Sequence, residues 1–277
     1  NPPANLNVKV VLTSNDLLAA RQANDLAMIY YIQKPDTVDL NNVGNPLYTT
    51  DRLASDLVNS WRTKGLRIVN LAYSKTHNDT LNTNNYDSRY IGSSGEDAGV
   101  RVDRGIDLPL PPLGRGVVER LFANNMIVDI SHVGTASALA ILDLADIRGK
   151  VVTANHVNAE AIADHPRNHT DEVICRIAKT GGIIGITPLR FMLVDGDERG
   201  NPVRVANDQD IINQFRHIRG LNCLGKNGRR LNMINHIAVA SDSYVNGWPQ
   251  QAGRFWVSQQ VSAPSAWMRM AAVLMRS

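Results

Sequence analysis

Short apolar runs and amphipathic stretches take turns along this chain. Ala27-Met-Ile-Tyr-Tyr-Ile-Gln33 reads as a strand, cut off by Pro35. Residues 51–63 carry Leu53, Leu57, Val58 and Trp61 on one helical face, and Gly65 ends that helix. Residues 66–73 follow as a strand. The alternation then predicts helix 113–125, strand 126–131, helix 136–146, strand 151–155, helix 170–180 and strand 182–187. Helix 208–219, strand 236–242 and a last helix from about Ser265 complete the series. Near the start, residues 17–25 read as a helix capped by Ser14 or Asn15, with Val8-Lys-Val-Val-Leu12 as a short strand before it.

Strands alternating with helices predict a parallel sheet wrapped by helices. The expected class is α/β, a (β/α)8 TIM-type barrel. Six strands, with 8–12 as a seventh, fall short of the eight a closed barrel needs. The first strand and the C-terminal end are therefore expected to lie outside this chain, as in a piece of a longer barrel. No internal repeat is present. The polar stretches 74–112, 195–208 and 243–262 read as loops on one scaffold, so residues 1–277 are expected to form a single domain. A loop as long as 74–112 inside a compact domain suggests a lid or a disordered segment.

Two of the strands close on a histidine: Met126-Ile-Val-Asp-Ile-Ser-His132 and Lys150-Val-Val-Thr-Ala-Asn-His156. The spacing from 132 to 156 is about one strand–helix unit, so the two imidazoles should stand side by side at the carboxyl ends of neighbouring strands. That edge is where barrel active sites are built. Imidazole is also a common ligand for zinc and similar ions. Each histidine taken singly could merely end its strand; the matching pair points to a metal.

Composition narrows the field only slightly. The chain has 277 residues, is 43% hydrophobic and carries a net charge of +3. It lacks the clustered Lys/Arg and interleaved aromatics of a nucleic-acid surface. No apolar stretch approaches the roughly 20 residues needed to span a bilayer. The start of the chain shows no signal-peptide pattern, and the compartment stays open between periplasm and cytoplasm. Cys175 and Cys223 are too few for a disulfide framework, and Cys175 reads as a small core residue.

Other polar groups sit at the same strand ends. Asp242 follows the run Ile237-Ala-Val-Ala and could move a proton, ligate a metal or cap a turn. Arg167, in Asp164-His-Pro-Arg-Asn168, could grip a carboxylate with its planar fork, although a loop arginine is usually solvated. Gln33 and Tyr73 end their strands toward the same mouth, as pocket groups or as plain loop-entry residues.

Taken together, these segments resemble the renal (membrane) dipeptidase family of zinc peptidases, within the amidohydrolase-type barrels. The resemblance runs from about residue 14 to the end of the chain. It rests on Gly114-Arg-Gly-Val-Val-Glu-Arg-Leu, Asn125-Met-Ile-Val-Asp-Ile-Ser-His-Val, Ala154-Asn-His-Val-Asn-Ala and His165-Pro-Arg-Asn-His-Thr-Asp-Glu. Gly181-Gly-Ile-Ile-Gly-Ile and Val239-Ala-Ser-Asp242 continue it. The resemblance implies that His132 and His156 hold a metal, that Arg167, with Asn168 beside it, binds the dipeptide carboxylate, and that Asp242 assists proton transfer.

Three departures qualify it. The family's first-strand His-x-Asp pair is absent upstream of residue 14. The glutamate that bridges two metals aligns with Gln33, whose amide can ligate but lacks the charge that holds two dications together. The histidine that stabilises the tetrahedral intermediate aligns with Tyr73, or is replaced by His77 if the loop shifts by four residues. Glutamine and tyrosine at these places look like a branch of the family.

The implied activity is a zinc-dependent dipeptidase with one or two ions, the binuclear centre being weakened by Gln33. A metal-bound hydroxide would attack the peptide carbonyl, and Tyr73 would donate to the developing oxyanion. Its partner is a small peptide substrate, with a homodimer as candidate assembly. The alternative is a degenerate dipeptidase-fold protein that binds or helps tailor a peptide-like ligand without hydrolysing it.

Overall fold

The computed structural model describes residues 7–32, 50–72, 110, 112–165, 167–195 and 204–240. Gln33, Tyr73, His77 and Asp242 lie outside them, as do nearly all of loop 74–112 and the helix expected from Ser265. The described elements run β1 (Val8–Val10), α1 (Ser14–Ala23), β2 (Leu26–Met28), β3 (Tyr31–Ile32), α2 (Thr50–Thr63) and β4 (Ile68–Asn70). They continue with α3 (Pro112–Ala123), β5 (Ile127–Asp129), α4 (Thr135–Arg148), β6 (Val152–Val157), α5 (Asp171–Thr180) and β7 (Ile184–Ile186). The series ends with α6 (Arg190–Leu193), α7 (Asp208–Gly220), a 3-10 turn (Met233–His236) and β8 (Ile237–Val239).

Six strands pair in the order β3-β4-β5-β6-β7-β8, every pair parallel. Spatial order never departs from chain order. A doubly wound sheet reverses at a switch point, whereas a barrel winds in one direction, so the described strands form an arc of a TIM-type barrel. Each crossover helix buries one apolar face against it. In α3 that face is Val117, Val118, Leu121 and Phe122; in α4 it is Ala138, Ile141, Leu142 and Ala145. Strands β5 and β7 are buried almost throughout, as strands covered on both faces must be.

The Gly-Gly-Ile-Ile-Gly segment shows why glycine stands there. A Cβ on Gly182 would lie 1.8 Å from the Val152 carbonyl oxygen, and one on Gly185 would lie 1.9 Å from that of Asn155. No side chain fits at either distance. Strand β7 therefore presses backbone to backbone on β6, whose pairing shifts register between Ala154 and Val157. That irregular stretch of β6 carries His156.

Three expectations need correction. The cap of α1 is Thr13: its hydroxyl accepts from Asp16 N (3.2 Å), while the Asp16 carboxylate accepts from Thr13 N (2.8 Å) and Leu12 N (3.1 Å). This is a capping box with aspartate in the third position. The strand expected at 8–12 is shorter, Val8–Val10, and its parallel ladder is with β2, two residues ahead of β3 in the chain.

Cys175, read as a plain core residue, is joined to Cys223 in a disulfide that closes a separation of 48 residues. It fastens α5 to the turn that follows α7. Chain-entropy arithmetic for a loop of that length gives a stabilisation of about 4 kcal/mol, within a usual range of about 2–4. Cys175→Ser with Cys223→Ser should lower unfolding stability by about 2–4 kcal/mol in urea melts, and the oxidised parent should show no titratable thiol. A full complement of free thiols in the folded, unreduced protein would contradict the bridge.

Candidate active site

The site begins with a charged residue inside an apolar strand. Asp129 ends β5, is fully buried and directs Oδ1 at three donors: Ser131 N (3.1 Å), Ser131 Oγ (2.9 Å) and Asn155 N (2.9 Å). Ser131 Oγ in turn accepts from His156 N at 3.1 Å. Charge burial is costly unless hydrogen-bonded, and these bonds hold the end of β5 against β6. On the preceding strand, Asn70 sits opposite Asp129 and repeats the device, its Oδ1 accepting from Ala72 N at 2.9 Å.

His132 lies in the turn that the Asp129 bonds create, with φ of +65°. A non-glycine residue in this left-handed region costs roughly 1–2 kcal/mol, and such residues cluster at functional sites. The turn brings its ring to 5.0 Å from that of His156, edge to face at 63°. Both rings are buried, as are His165 and His169.

The loop after β6 supplies the cation and is bolted down along its length. Asn158 Nδ2 donates to the carbonyls of Thr187 (3.0 Å) and Met192 (3.1 Å). Asn168 Nδ2 donates to those of Ala163 (2.7 Å) and Met192 (2.9 Å). Gln214 of α7 accepts from Ala159 N at 2.7 Å, and His169 donates its Nε2–H to the Ile130 carbonyl at 3.1 Å. Arg167 N donates to His165 Nδ1 at 3.2 Å. From this braced backbone the buried Arg167 guanidinium reaches His132, with Nη2 2.7 Å from Nε2. A guanidinium offers only donors, so His132 Nε2 is the acceptor.

Burial holds His132 well below the usual imidazole pKa, with the Arg167 charge adding to the effect. His169 is lowered to about 4, chiefly by burial, against the opposing pull of its bond to Ile130. Neutral imidazoles are the form that binds metal, so the donor chemistry of His132 and His156 fits a zinc-type ion. The placement of Arg167 on Nε2 does not. Among the described residues, no group of three or more His, Cys, Asp or Glu side chains is placed to share an ion.

Of the residues singled out from sequence, His132, His156, Arg167 and Asn168 come together at one strand edge. The amide nitrogen of Asn168 is engaged by two carbonyls, which leaves only its buried Oδ1 without a partner. Gln33, Tyr73 and Asp242 are not described. Sequence reasoning passed over Asp129, Ser131, Asn158 and His169. The signal for Asp129 was present: a lone carboxylate between Ile127-Val128 and Ile130 must be paired if that run is a buried strand.

The one-way winding of the sheet, with a polar cluster at its carboxyl edge, is that of a TIM-type barrel. The family description matching residues 48–226 is membrane dipeptidase, peptidase family M19, and the chain belongs to that family. Dipeptidase tcpJ of Claviceps purpurea is 26% identical over 245 residues, which cover 85% of this chain and 47% of that protein. The chain thus spans about half the length of that curated relative. A metallo peptidase from Rhodobacter sphaeroides, solved with a phosphinate mimic of L-Ala-D-Ala, has a TM-score of 0.65 at 16% identity, covering 97% of this chain and 62% of that one. The probable dipeptidase PvdM of Pseudomonas aeruginosa has a TM-score of 0.54 at 14% identity, covering 98% and 75%. These likenesses establish the fold. No helix among the described residues is long and apolar enough to cross a membrane.

The histidine cluster has a consequence for stability. An unfolded histidine titrates near 6.5; His169 in the fold titrates near 4. Between those values the unfolded chain binds the extra proton, so stability is full above pH 6.5 and falls as pH drops toward 4. The loss from His169 amounts to about 3 kcal/mol, and His132 acts in the same direction. Urea melts from pH 7 to 4.5 should show this decline, and His169→Gln should make it shallower by about one proton. Equal slopes would show that His169 is not a buried neutral group.

Proposed function

We propose that the protein hydrolyses dipeptides in a zinc-dependent reaction and selects them by their free carboxylate. The observation that carries this reading is the buried Arg167 guanidinium at the same strand edge as the His132–His156 pair. A planar cation set on a braced loop suits bidentate capture of a carboxylate. Family membership supports peptide hydrolysis as the reaction.

In this reading His132 and His156 hold the ion, with Gln33 as a further ligand from the end of the β3 segment. When bound, zinc supplies Lewis acidity that polarises the peptide carbonyl and makes water nucleophilic near neutral pH. Tyr73 donates a hydrogen bond to the oxyanion that develops on the carbonyl. Asp242 takes a proton and returns it to the leaving amine. Asn168 is a positioning residue: its two bonds to backbone carbonyls hold the turn from which Arg167 projects.

Two variants test the assignment. Arg167→Ala should weaken binding of a dipeptide by about ten- to a hundredfold, the value of a charge-assisted contact of roughly 1.5–3 kcal/mol. Lysine should restore only part of it. A C-terminally amidated dipeptide should be indifferent to the change; an equal loss against it would make Arg167 structural. Asp242→Asn should lower hydrolysis by at least about 10²-fold with binding nearly intact. A protein that binds zinc and dipeptides yet hydrolyses none, before or after that change, would be a binding protein on a dipeptidase fold.

A further inference from the structure

We propose that Gln214, on crossover helix α7, is a positioning residue for carboxylate recognition: by clasping the backbone of Ala159 it sets where the loop presents Arg167. The inference rests on the reading of Arg167 as the carboxylate grip. It adds a residue 55 positions from the one it clasps.

Arg167 belongs to a loop that closes on itself. Ala159 and His169 form a parallel bridge, in which His169 N donates to the Asn158 carbonyl at 3.0 Å and Glu160 N donates to the His169 carbonyl at 2.9 Å. Arg167 lies two residues before that junction. The bridge uses the groups of residues 158 and 160, so the N–H and C=O of Ala159 itself point the other way. Ala159 is fully buried, and leaving those groups unpaired there would cost about as much as a lost hydrogen bond.

Gln214 meets both groups. Its Oε1 accepts from Ala159 N at 2.7 Å, and its Nε2 donates to the Ala159 carbonyl at 3.3 Å. A carboxamide presents an acceptor and a donor side by side, so the fully buried Gln214 side chain takes the place of a neighbouring strand. One residue earlier the same device runs in reverse. The Asn158 carboxamide accepts from Thr187 N at 3.2 Å and donates to the Thr187 carbonyl at 3.0 Å. The base of the loop is thus locked between the end of β7 and α7. Helix α7 is in turn tied to α5, which begins directly after the loop. His217 Nε2 lies 2.7 Å from Asp171 Oδ1, and the Cys175–Cys223 disulfide follows.

Calorimetric binding of N-acetyl-dialanine and of its C-terminal amide to the full chain with zinc tests this, since the ratio of the two affinities reports the carboxylate contact. Gln214→Met fills nearly the same space and makes neither bond. It should weaken binding of the acid by about tenfold, less than the roughly hundredfold that a 1 Å misplacement can cost, and leave the amide unchanged. Steady-state kinetics on a dipeptide should place the loss in KM, with kcat nearly kept. Adding Gln214→Met to Arg167→Ala should cause no further loss of acid affinity, because residues that act through one contact are not additive.

Equal loss against acid and amide, a loss confined to kcat, or an additive loss in the double variant would make Gln214 a plain packing residue and overturn the inference. An acid preference kept in Gln214→Met but lost in Arg167→Ala would overturn it while leaving the reading of Arg167 in place. A preference that survives Arg167→Ala would overturn both. Hydrogen exchange of the wild-type protein tests the clasp even if the variant fails to fold. The Ala159 amide should exchange as slowly as those of β6, and fast exchange would show that Gln214 does not hold it.

Discussion

Everything at the carboxyl edge of this sheet depends on one buried carboxylate. A buried carboxyl in an apolar strand needs donors, and those that meet Asp129 Oδ1 lie on the turn after β5 and on β6. Its bond to Asn155 N crosses from β5 to β6, and its bonds to Ser131 tighten the turn that follows β5. Ser131 then passes the constraint on to the His156 backbone. The two histidines meet because the same network fixes both strand ends, and the left-handed backbone of His132 persists because that network over-determines it. A residue without a side-chain acceptor at position 129 would leave the pairing of β5 with β6 to the ladder alone.

Around that hub the protein assembles an environment that favours neutral rings beside a fixed cation. Four buried histidines lie near one another, and burial pushes His132 and His169 toward the uncharged form. The guanidinium supplies the positive charge of the cluster. The loop that carries it is fastened by side-chain hydrogen bonds to backbone, from Asn158, Asn168 and Gln214. Irregular backbone buried in a protein must find such partners, and here three carboxamide side chains provide them.

The fold was legible because burial imposes periodicity. Strands hidden on both faces read as continuous apolar runs, and the crossover helices as one-sided stripes. The pair His132 and His156 was legible for the same reason, since each terminates a run that the pattern had already assigned. Boundaries were less so: β7 shortens to Ile184–Ile186 where Gly182 presses on Val152, a contact between segments distant in sequence. The same holds for Cys175 and Cys223, whose pairing depends on how α5 and the turn after α7 are brought together. The cap of α1 was not legible, because Thr13, Ser14 and Asn15 are all good capping residues and only the backbone shows which one precedes the first turn. Asn158 and Asn168 could not be read as braces, because their acceptors lie on α6 and beyond β7, and only the fold shows them to be near.

Two features point the same way about charge. Gln33 stands where the family resemblance places a carboxylate, and Arg167 already brings a full positive charge to His132. On the proposed reading, a site with one fewer anion and a cation beside His132 opposes a divalent ion more strongly than one whose bridging group is glutamate. At about 4 Å and an effective dielectric near 20, a unit charge and a divalent ion interact by on the order of 8 kcal/mol. On the same reading, an incoming carboxylate changes that balance by adding a negative charge. On the proposed reading, the free carboxylate of a short peptide is both the feature to be recognised and a charge that offsets this repulsion.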